Sequence, residues 1–362
     1  MQTPVMLIPR LTLPLIALCG LVAQAPVGAQ QAPPPLTSFL EQSAGFNEKQ
    51  FAALERGQSV AKVLKTTIDR DVAVVSVITV DVPRAWFVEH LTAVDRPLRS
   101  PTRSLSGVFS TPAVPGDIGD LALSKNDVKD LKACHPRSCN FKLPAAGMAY
   151  LSTNADWNSP NISTELLHYA REQMAAYVND YRLHGSAAMV VYDDQPTVKS
   201  SDALAGLLSA SPYLYPSVPA FQKYLLDYPN EKLDSVTNMI FWSQDQMPHT
   251  RPLLNIRQLS IFSPPDPGNV TLIANKQLWA DHYLEASLDI LGVIDRSTVA
   301  GHESVYLVAL RQFRFDNLPN NRLFSIRNRV AGGLRDQAES DLQRIKQTYE
   351  QDFRPSDTRK PH

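Results

Sequence analysis

The chain has 362 residues, with 35 Lys and Arg against 36 Asp and Glu, and 44% of it is hydrophobic. That length and apolar content suffice for one large domain or two ordinary ones with a buried core. Balanced charge without a basic stripe excludes electrostatic nucleic-acid binding, and 28 Pro against 15 Gly point to stiff loops rather than disorder or a repeat array.

Residues 1–29 read as a signal peptide. Met1 to Arg10 carries one positive charge, Leu11 to Ala23 is apolar, and Val27-Gly28-Ala29 fits the small-x-small cleavage rule. Ala23-Gln24-Ala25 fits it too, but Pro26 disfavours that cut. The apolar run is short and no second one follows, so no membrane span is expected after cleavage near Ala29, and the mature chain is expected to be secreted or periplasmic. Cys134 and Cys139 then remain, in Cys-His-Pro-Arg-Ser-Cys. In an oxidising compartment such a pair is expected to close a disulfide, with free thiols as the alternative. The loop is so short that the bond would stabilise little. Zinc would need two further ligands, and only His135 is adjacent. No metal or cofactor is expected.

In chain order, 30–56 is a Pro-rich leader followed by one or two short helices, with Gly57 as their stop. Val60 to Leu64 suggests a strand, and Asp69-Arg70-Asp71 a turn. Val72 to Val82 is apolar on both strand faces and should be a central strand, covered twice. Asp81-Val82-Pro83 then starts a helix through Trp86, Phe87 and Leu91, and Ser104 to Ser110 reads as a further strand.

The 117–235 segment is helical in pattern. Ser124 and Asp127 resemble a capping box, and Ser163 opens a helix with Leu166, Leu167, Ala170, Met174, Tyr177, Val178 and Tyr181 on one face and Gly185 as its stop. Shorter helices fit Asp202 to Ser209 and Val218 to Tyr228, and Ala187 to Tyr192 could be a short strand. Tyr213, Tyr215, Tyr224 and Tyr228 fit ordinary helix packing, or a lid over a cavity.

Strand patterns return over Ile256 to Phe262, Val270 to Lys276 and Val305 to Phe315. Between them Lys276 to Ile294 reads as one long strand. Its greasy face carries Leu278, Ala280, His282, Leu284, Ala286, Leu288 and Ile290; the other carries Trp279, Asp281, Tyr283, Glu285, Ser287 and Asp289. A last helix follows, with Leu323, Ile326, Val330, Leu334, Ala338, Leu342, Ile345 and Tyr349 on one face. Gly332-Gly333 in its middle should mark a close approach to the sheet or a kink. Residues 351–362 read as a disordered tail.

This order resembles the helix-grip fold of the START-like (SRPBCC) superfamily, with Val72 to Leu91 matching the first strand and helix and Ile256 to Glu350 the hairpins and last helix. The resemblance implies an α+β class: a curved antiparallel sheet packed on a long C-terminal helix, formed by 57–116 plus 236–350, with 117–235 as a large helical insertion. It also implies a cavity between sheet and helix for an apolar or amphipathic small molecule, and a non-enzymatic binding role more readily than a reaction. Trp279, Asp281, Tyr283 and Glu285 are the candidate ligand-binding residues. Asp281 and Glu285 read first as structural ion pairs with Arg257, Arg311 or Arg314 or as an outward polar face, then as ligand contacts, and an enzyme using them is the weaker alternative. His282 is expected to be a hydrogen-bonded core histidine. Arg322, Arg327, Arg329 and Arg335 read as the solvated flank of the last helix. The other alternative is an envelope protein-interaction module with a solid core. No Gly-x-Ser-x-Gly elbow, phosphate loop or His-x-x-x-His spacing supports a specific catalytic class, and no catalytic residue is assigned.

Overall fold

A ten-residue strand, β2 (Asp71–Val80), is buried along its whole length. Its Ala73, Val75 and Val77 pack in one cluster, Val72 and Val74 in a second, and Ile78 and Val80 in a third, so both of its faces are covered by core. The covered central strand expected from the sequence is therefore observed. Each Val or Ile so buried contributes about 1.5–3 kcal/mol.

The computed structural model describes residues 36–92, 103–209, 218–245, 251–265, 268–296, 303–318 and 325–353. The signal-peptide segment, Tyr213, Tyr215, Arg322, Leu323 and residues 354–362 lie outside them. The order is α1 (Leu36–Ser38) with a π-helical turn (Phe39–Ser43), α2 (Glu48–Glu55), β1 (Val60–Leu64), β2, α3 (Arg84–Thr92) and β3 (Arg103–Val108). A mainly helical block follows: α4 (Lys125–Ala133), α5 (Ala145–Asn154), α6 (Ile162–His184), β4 (Val191–Tyr192), β5 (Val198–Lys199), α7 (Ser200–Ser209) and α8 (Pro219–Asp227). The chain then forms β6 (Val236–Asp245), β7 (Leu253–Phe262), β8 (Val270–Ala280), β9 (Leu284–Arg296), β10 (Ser304–Phe315) and α9 (Ile326–Asp352).

One large sheet has the order β1-β2-β10-β9-β8-β7-β6-β3, every neighbouring pair antiparallel. One face meets α6, α7 and α8 through Leu278, Leu288 and Ile290, and the N-terminal helices through Val75 and Leu310. The opposite face meets α3 and α9, with Ala331, Leu334, Ala338, Leu342 and Tyr349 buried on the last helix. The result is a mixed α/β fold, and Pro34–His362 form one compact unit. No helix among the described residues is long and apolar enough to cross a membrane.

Local sequence rules explain the ends of several elements. Ser124 Oγ accepts from the Asp127 amide at 3.1 Å, with the Asp127 carboxylate taking the Ser124 amide at 2.8 Å, so the capping box forms with Asp in the usual Glu position. Gly185 ends α6 at φ +55, and a Cβ there would stand 1.5 Å from the Tyr228 carbonyl oxygen, so only glycine fits. Ser325 caps α9 through the Asn328 amide at 3.1 Å. The last helix runs through Asp352, two residues into the segment read as tail.

Three expectations are corrected. Lys276 to Ile294 is not one strand. It is a hairpin, β8 turning into β9 at Asp281-His282-Tyr283, with Tyr283 at φ +63. Lys276 pairs with Leu288 and Asn275 with Asp289, so paired residues share parity. The three-residue turn therefore returns the even-numbered residues to the face they left, and alternation alone cannot reveal it. Second, a Cβ at Gly332 or Gly333 would meet nothing within 4 Å, so these glycines mark open space, not a close approach. Third, Ile326 is 45% exposed rather than part of the buried stripe.

Inside the helical face, Tyr181, Tyr224 and Tyr228 pack around each other rather than over an opening. They enclose Lys276, whose Nζ donates to the Leu225 carbonyl at 2.8 Å and lies 5.2 Å from the Tyr181 ring centre. Burial pushes this ammonium down to about 7 from its ordinary 10.5. The unfolded chain then holds more protons than the native one between those values, so stability rises with pH through that window. Lys276→Met should stabilise the protein at pH 7, by an amount on the order of 4 kcal/mol less the lost hydrogen bond. It should also flatten the dependence of Tm on pH from about 7 to 10, measured by thermal unfolding across a pH series.

Candidate functional site

The turn of the β8–β9 hairpin sits where several buried charges meet. Asp281 Oδ1 accepts from the Leu254 amide at 2.9 Å, and the Asp281 carbonyl takes the Lys142 amide at 2.8 Å. Trp279 Nε1 donates to the Lys142 carbonyl at 3.2 Å. The end of β8 therefore holds the backbone of Lys142 from both sides. The Asp316 amide donates to the Tyr283 carbonyl at 2.9 Å, and Tyr283 Oη accepts from the Arg251 amide at 3.1 Å. These two bonds fix the left-handed Tyr283, a conformation that costs a bulky residue about 1 kcal/mol.

Lys142 reaches inward from that anchor and is 3% exposed. Its Nζ lies 2.6 Å from Asp316 Oδ1, 3.7 Å from Asp194 Oδ2, and 4.2 Å from the Tyr192 ring centre. Asp194 is positioned through its own carbonyl, which takes the Cys139 amide at 3.1 Å. Burial raises the Asp194 carboxyl and Lys142 opposes the rise. Cys139 is joined to Cys134 at an S–S distance of 1.93 Å, so the disulfide expected from the sequence closes this short loop. It packs with Phe141, Met148, Leu151 and Leu166 in a satellite core of the helical block.

A second ionic group lies beside it. Glu285 pairs with Arg70, which also donates to the Phe315 and Asp316 carbonyls at 3.3 Å each. Burial raises the Glu285 carboxyl, and Arg70 holds it back. Arg314 grips Asp71 with two bonds of 2.8 Å. The partners foreseen for the carboxylates were different. Arg314 serves Asp71, Arg311 meets Asp341 of α9 at 2.9 Å, and Arg257 donates to Ser287 at 2.9 Å with Asp289 3.6 Å away. Asp281 has no cationic Arg or Lys partner among the described residues, and burial raises its carboxyl.

Arg70, Lys142, Asp194, Glu285 and Asp316 form one wall of an open cleft of about 1400 Å³. The other wall is the first half of α9, where Ile326, Val330 and Leu334 present apolar surface and Gly333 leaves room, with Leu318 from the segment after β10 beside them. Tyr283 and Glu285 line this cleft; Trp279 and Asp281 do not, and serve instead to hold Lys142 in place. His282 lines it too and is 6% exposed. Its Nδ1 stands 3.0 Å from Asp281 Oδ1, and the imidazole opposes the rise that burial imposes on that carboxyl. The histidine expected in the core is thus buried, with the Asp281 carboxylate beside it. Of the arginines read as a solvated flank, Arg329 is exposed on the cleft rim, whereas Arg327 bonds Thr66 Oγ1 at 2.8 Å and the Asp69 carbonyl at 3.0 Å.

Sequence reasoning missed Lys142, Asp194, Asp316 and Arg70. Arg70 sat in a segment read only as a turn, and the other three lie in irregular segments with no periodic signal. No group of three or more His, Cys, Asp or Glu residues placed to hold a metal occurs among the described residues.

Arg70→Ala should expose the dependence of this wall on paired charge. A buried carboxyl raised above its unfolded value favours the protonated native state, so its contribution to stability falls as pH climbs through that range. Without Arg70 the carboxyl rises further. The variant should lose the two carbonyl bonds at both pH values, and its deficit should be roughly 2 kcal/mol larger at pH 7 than at pH 4, the partial exposure of Arg70 keeping the loss modest. Denaturant unfolding at the two pH values measures this.

No family model and no curated protein matches the chain. Among solved structures the chain is similar to the Zhui aromatase/cyclase from Streptomyces sp. R1128, at 13% identity and a TM-score of 0.24, over 44% of this chain and 88% of that one.

Proposed function

We propose that the protein is an exported, non-enzymatic binding protein that holds an apolar or amphipathic small molecule in the cleft between the sheet end and α9. In this reading the sheet and α9 form a helix-grip arrangement whose open end is the binding site. The observation that carries it is the cleft itself. It holds about 1400 Å³, has an apolar wall on α9 opposite a polar wall on the hairpin, and has a glycine where a side chain would project into it. Ligand sites combine such apolar surface with a few fixed polar groups. Tyr283 and Glu285 contact the ligand, while Trp279 and Asp281 support Lys142 from behind. Export rests on the Met1–Ala29 pattern, and the Cys134–Cys139 disulfide suits an oxidising compartment.

The glycine supplies the test. Gly333→Leu places a branched side chain in the cleft and replaces a poor helix former by a good one, a local gain of about 1 kcal/mol. The variant should bind Nile red at least about tenfold more weakly than the parent, measured by fluorescence titration, while its Tm does not fall. Undiminished dye binding by a well-folded Gly333→Leu would remove the cleft as the binding site.

A further inference from the structure

We infer that the cleft takes a cation: its ligand is an amphiphilic amine whose ammonium is held against Asp316. This rests on the binding role proposed above and names its ligand class.

Charge on the inner wall is not fully matched. Two cations, Arg70 and Lys142, stand against three carboxylates, Glu285, Asp194 and Asp316. Arg70 answers Glu285, while Lys142 serves both others, 2.6 Å from Asp316 Oδ1 and 3.7 Å from Asp194 Oδ2. No other Lys or Arg pairs with Asp194 or Asp316 among the described residues. One negative charge is left over. Asp281 and His282 do not reverse that sign. An imidazolium there cancels the carboxylate 3.0 Å away, and a neutral imidazole leaves that carboxylate as a further negative charge. Arg314 and Asp71, buried nearby, cancel each other. Arg329 is the remaining cation of the lining, and it stands exposed on the rim, where water and salt screen it.

The surplus lies where a ligand can reach it. The Asp194 side chain is 5% exposed and that of Asp316 is 21% exposed. Lys142 bonds Oδ1 of Asp316, and Oδ2 makes no bond among the described residues. Phe315 and Tyr283 add aromatic surface to the same cleft, and Tyr283 is fixed by the bond between its Oη and the Arg251 amide. Aromatic faces attract an ammonium. An ammonium at Asp316 would complete the pairing that Lys142 begins, through a charge-assisted hydrogen bond, while the apolar wall of α9 takes the chain. A carboxylate in that place would meet a wall of its own sign, and an alcohol would leave the surplus unanswered.

Dodecylammonium, dodecanol and dodecanoate have equal chain lengths and separate the possibilities by displacement of Nile red from the full protein at pH 7. Dodecylammonium should bind about tenfold more tightly than dodecanol, and dodecanoate should bind most weakly. Asp316→Asn keeps the shape of that side chain and removes the surplus charge. It should cut the preference for dodecylammonium over dodecanol about tenfold. Asp194→Asn removes the same surplus from the other side of Lys142 and should act alike, which guards against a folding defect in one variant. Tightest binding by dodecanol or dodecanoate, blocked by Gly333→Leu, would overturn the inference and leave the cleft as the binding site. An unchanged preference in both Asn variants would also overturn it. Failure of all three to displace the dye, together with full dye binding by Gly333→Leu, would overturn the binding role as well.

Discussion

The arrangement at the end of the sheet depends on one constraint: charge removed from water must be matched within the protein. Asp71 and Arg314 satisfy it between β2 and β10, Arg70 and Glu285 between the turn before β2 and the start of β9, and Lys142 with Asp316 and Asp194 between three irregular segments. Each pair joins parts of the chain far apart in sequence. Replacing one member would strand the other in a dry environment at a cost of about 3–5 kcal/mol for the most buried pairs. The loops of the helical block are therefore tied to the sheet end by ionic contacts as well as by apolar packing. The disulfide closes the Cys134–Cys139 loop, and Trp279 and Asp281 hold Lys142 at its exit.

The two faces of the sheet divide the labour. The face under α6, α7 and α8 is filled by side chains from both layers, and its polar members find partners there: Tyr181 bonds Gln258 at 2.5 Å and Lys276 bonds the Leu225 carbonyl. The face under α9 is filled only along part of that helix. The cleft borders this packing along Ile326 to Gln337, while Ala331 and Leu334 stay in the core beside it.

Much of the architecture was legible in local pattern. The doubly buried β2, the Ser124 capping box, the stop at Gly185, the Cys134–Cys139 bond and the long last helix all follow from rules that act within a few residues. The turn at Asp281-His282-Tyr283 was not legible, because it contains no Gly, Pro or Asn and because an odd-numbered turn preserves the alternation that would otherwise betray it. Glu285 was recognised, but Arg70 as its partner was not. Pairing across more than two hundred residues leaves no trace in spacing. Of the four residues first assigned to the ligand, two line the cleft and two stand behind it, since a face deduced for one continuous strand cannot tell a turn residue from a wall residue.

Gly332-Gly333 shows why a correct observation can carry the wrong cause. Two adjacent glycines in a helix cost about 1 kcal/mol each, so something must compensate them, and in most helices that is a neighbour pressed against the backbone. Here nothing lies within 4 Å of either missing Cβ. Gly333 lies on the cleft lining and is exposed, so the space beside it is open. A packing role would make alanine at 333 destabilising. Open surroundings make it stabilising, since alanine is the better helix former and meets nothing there.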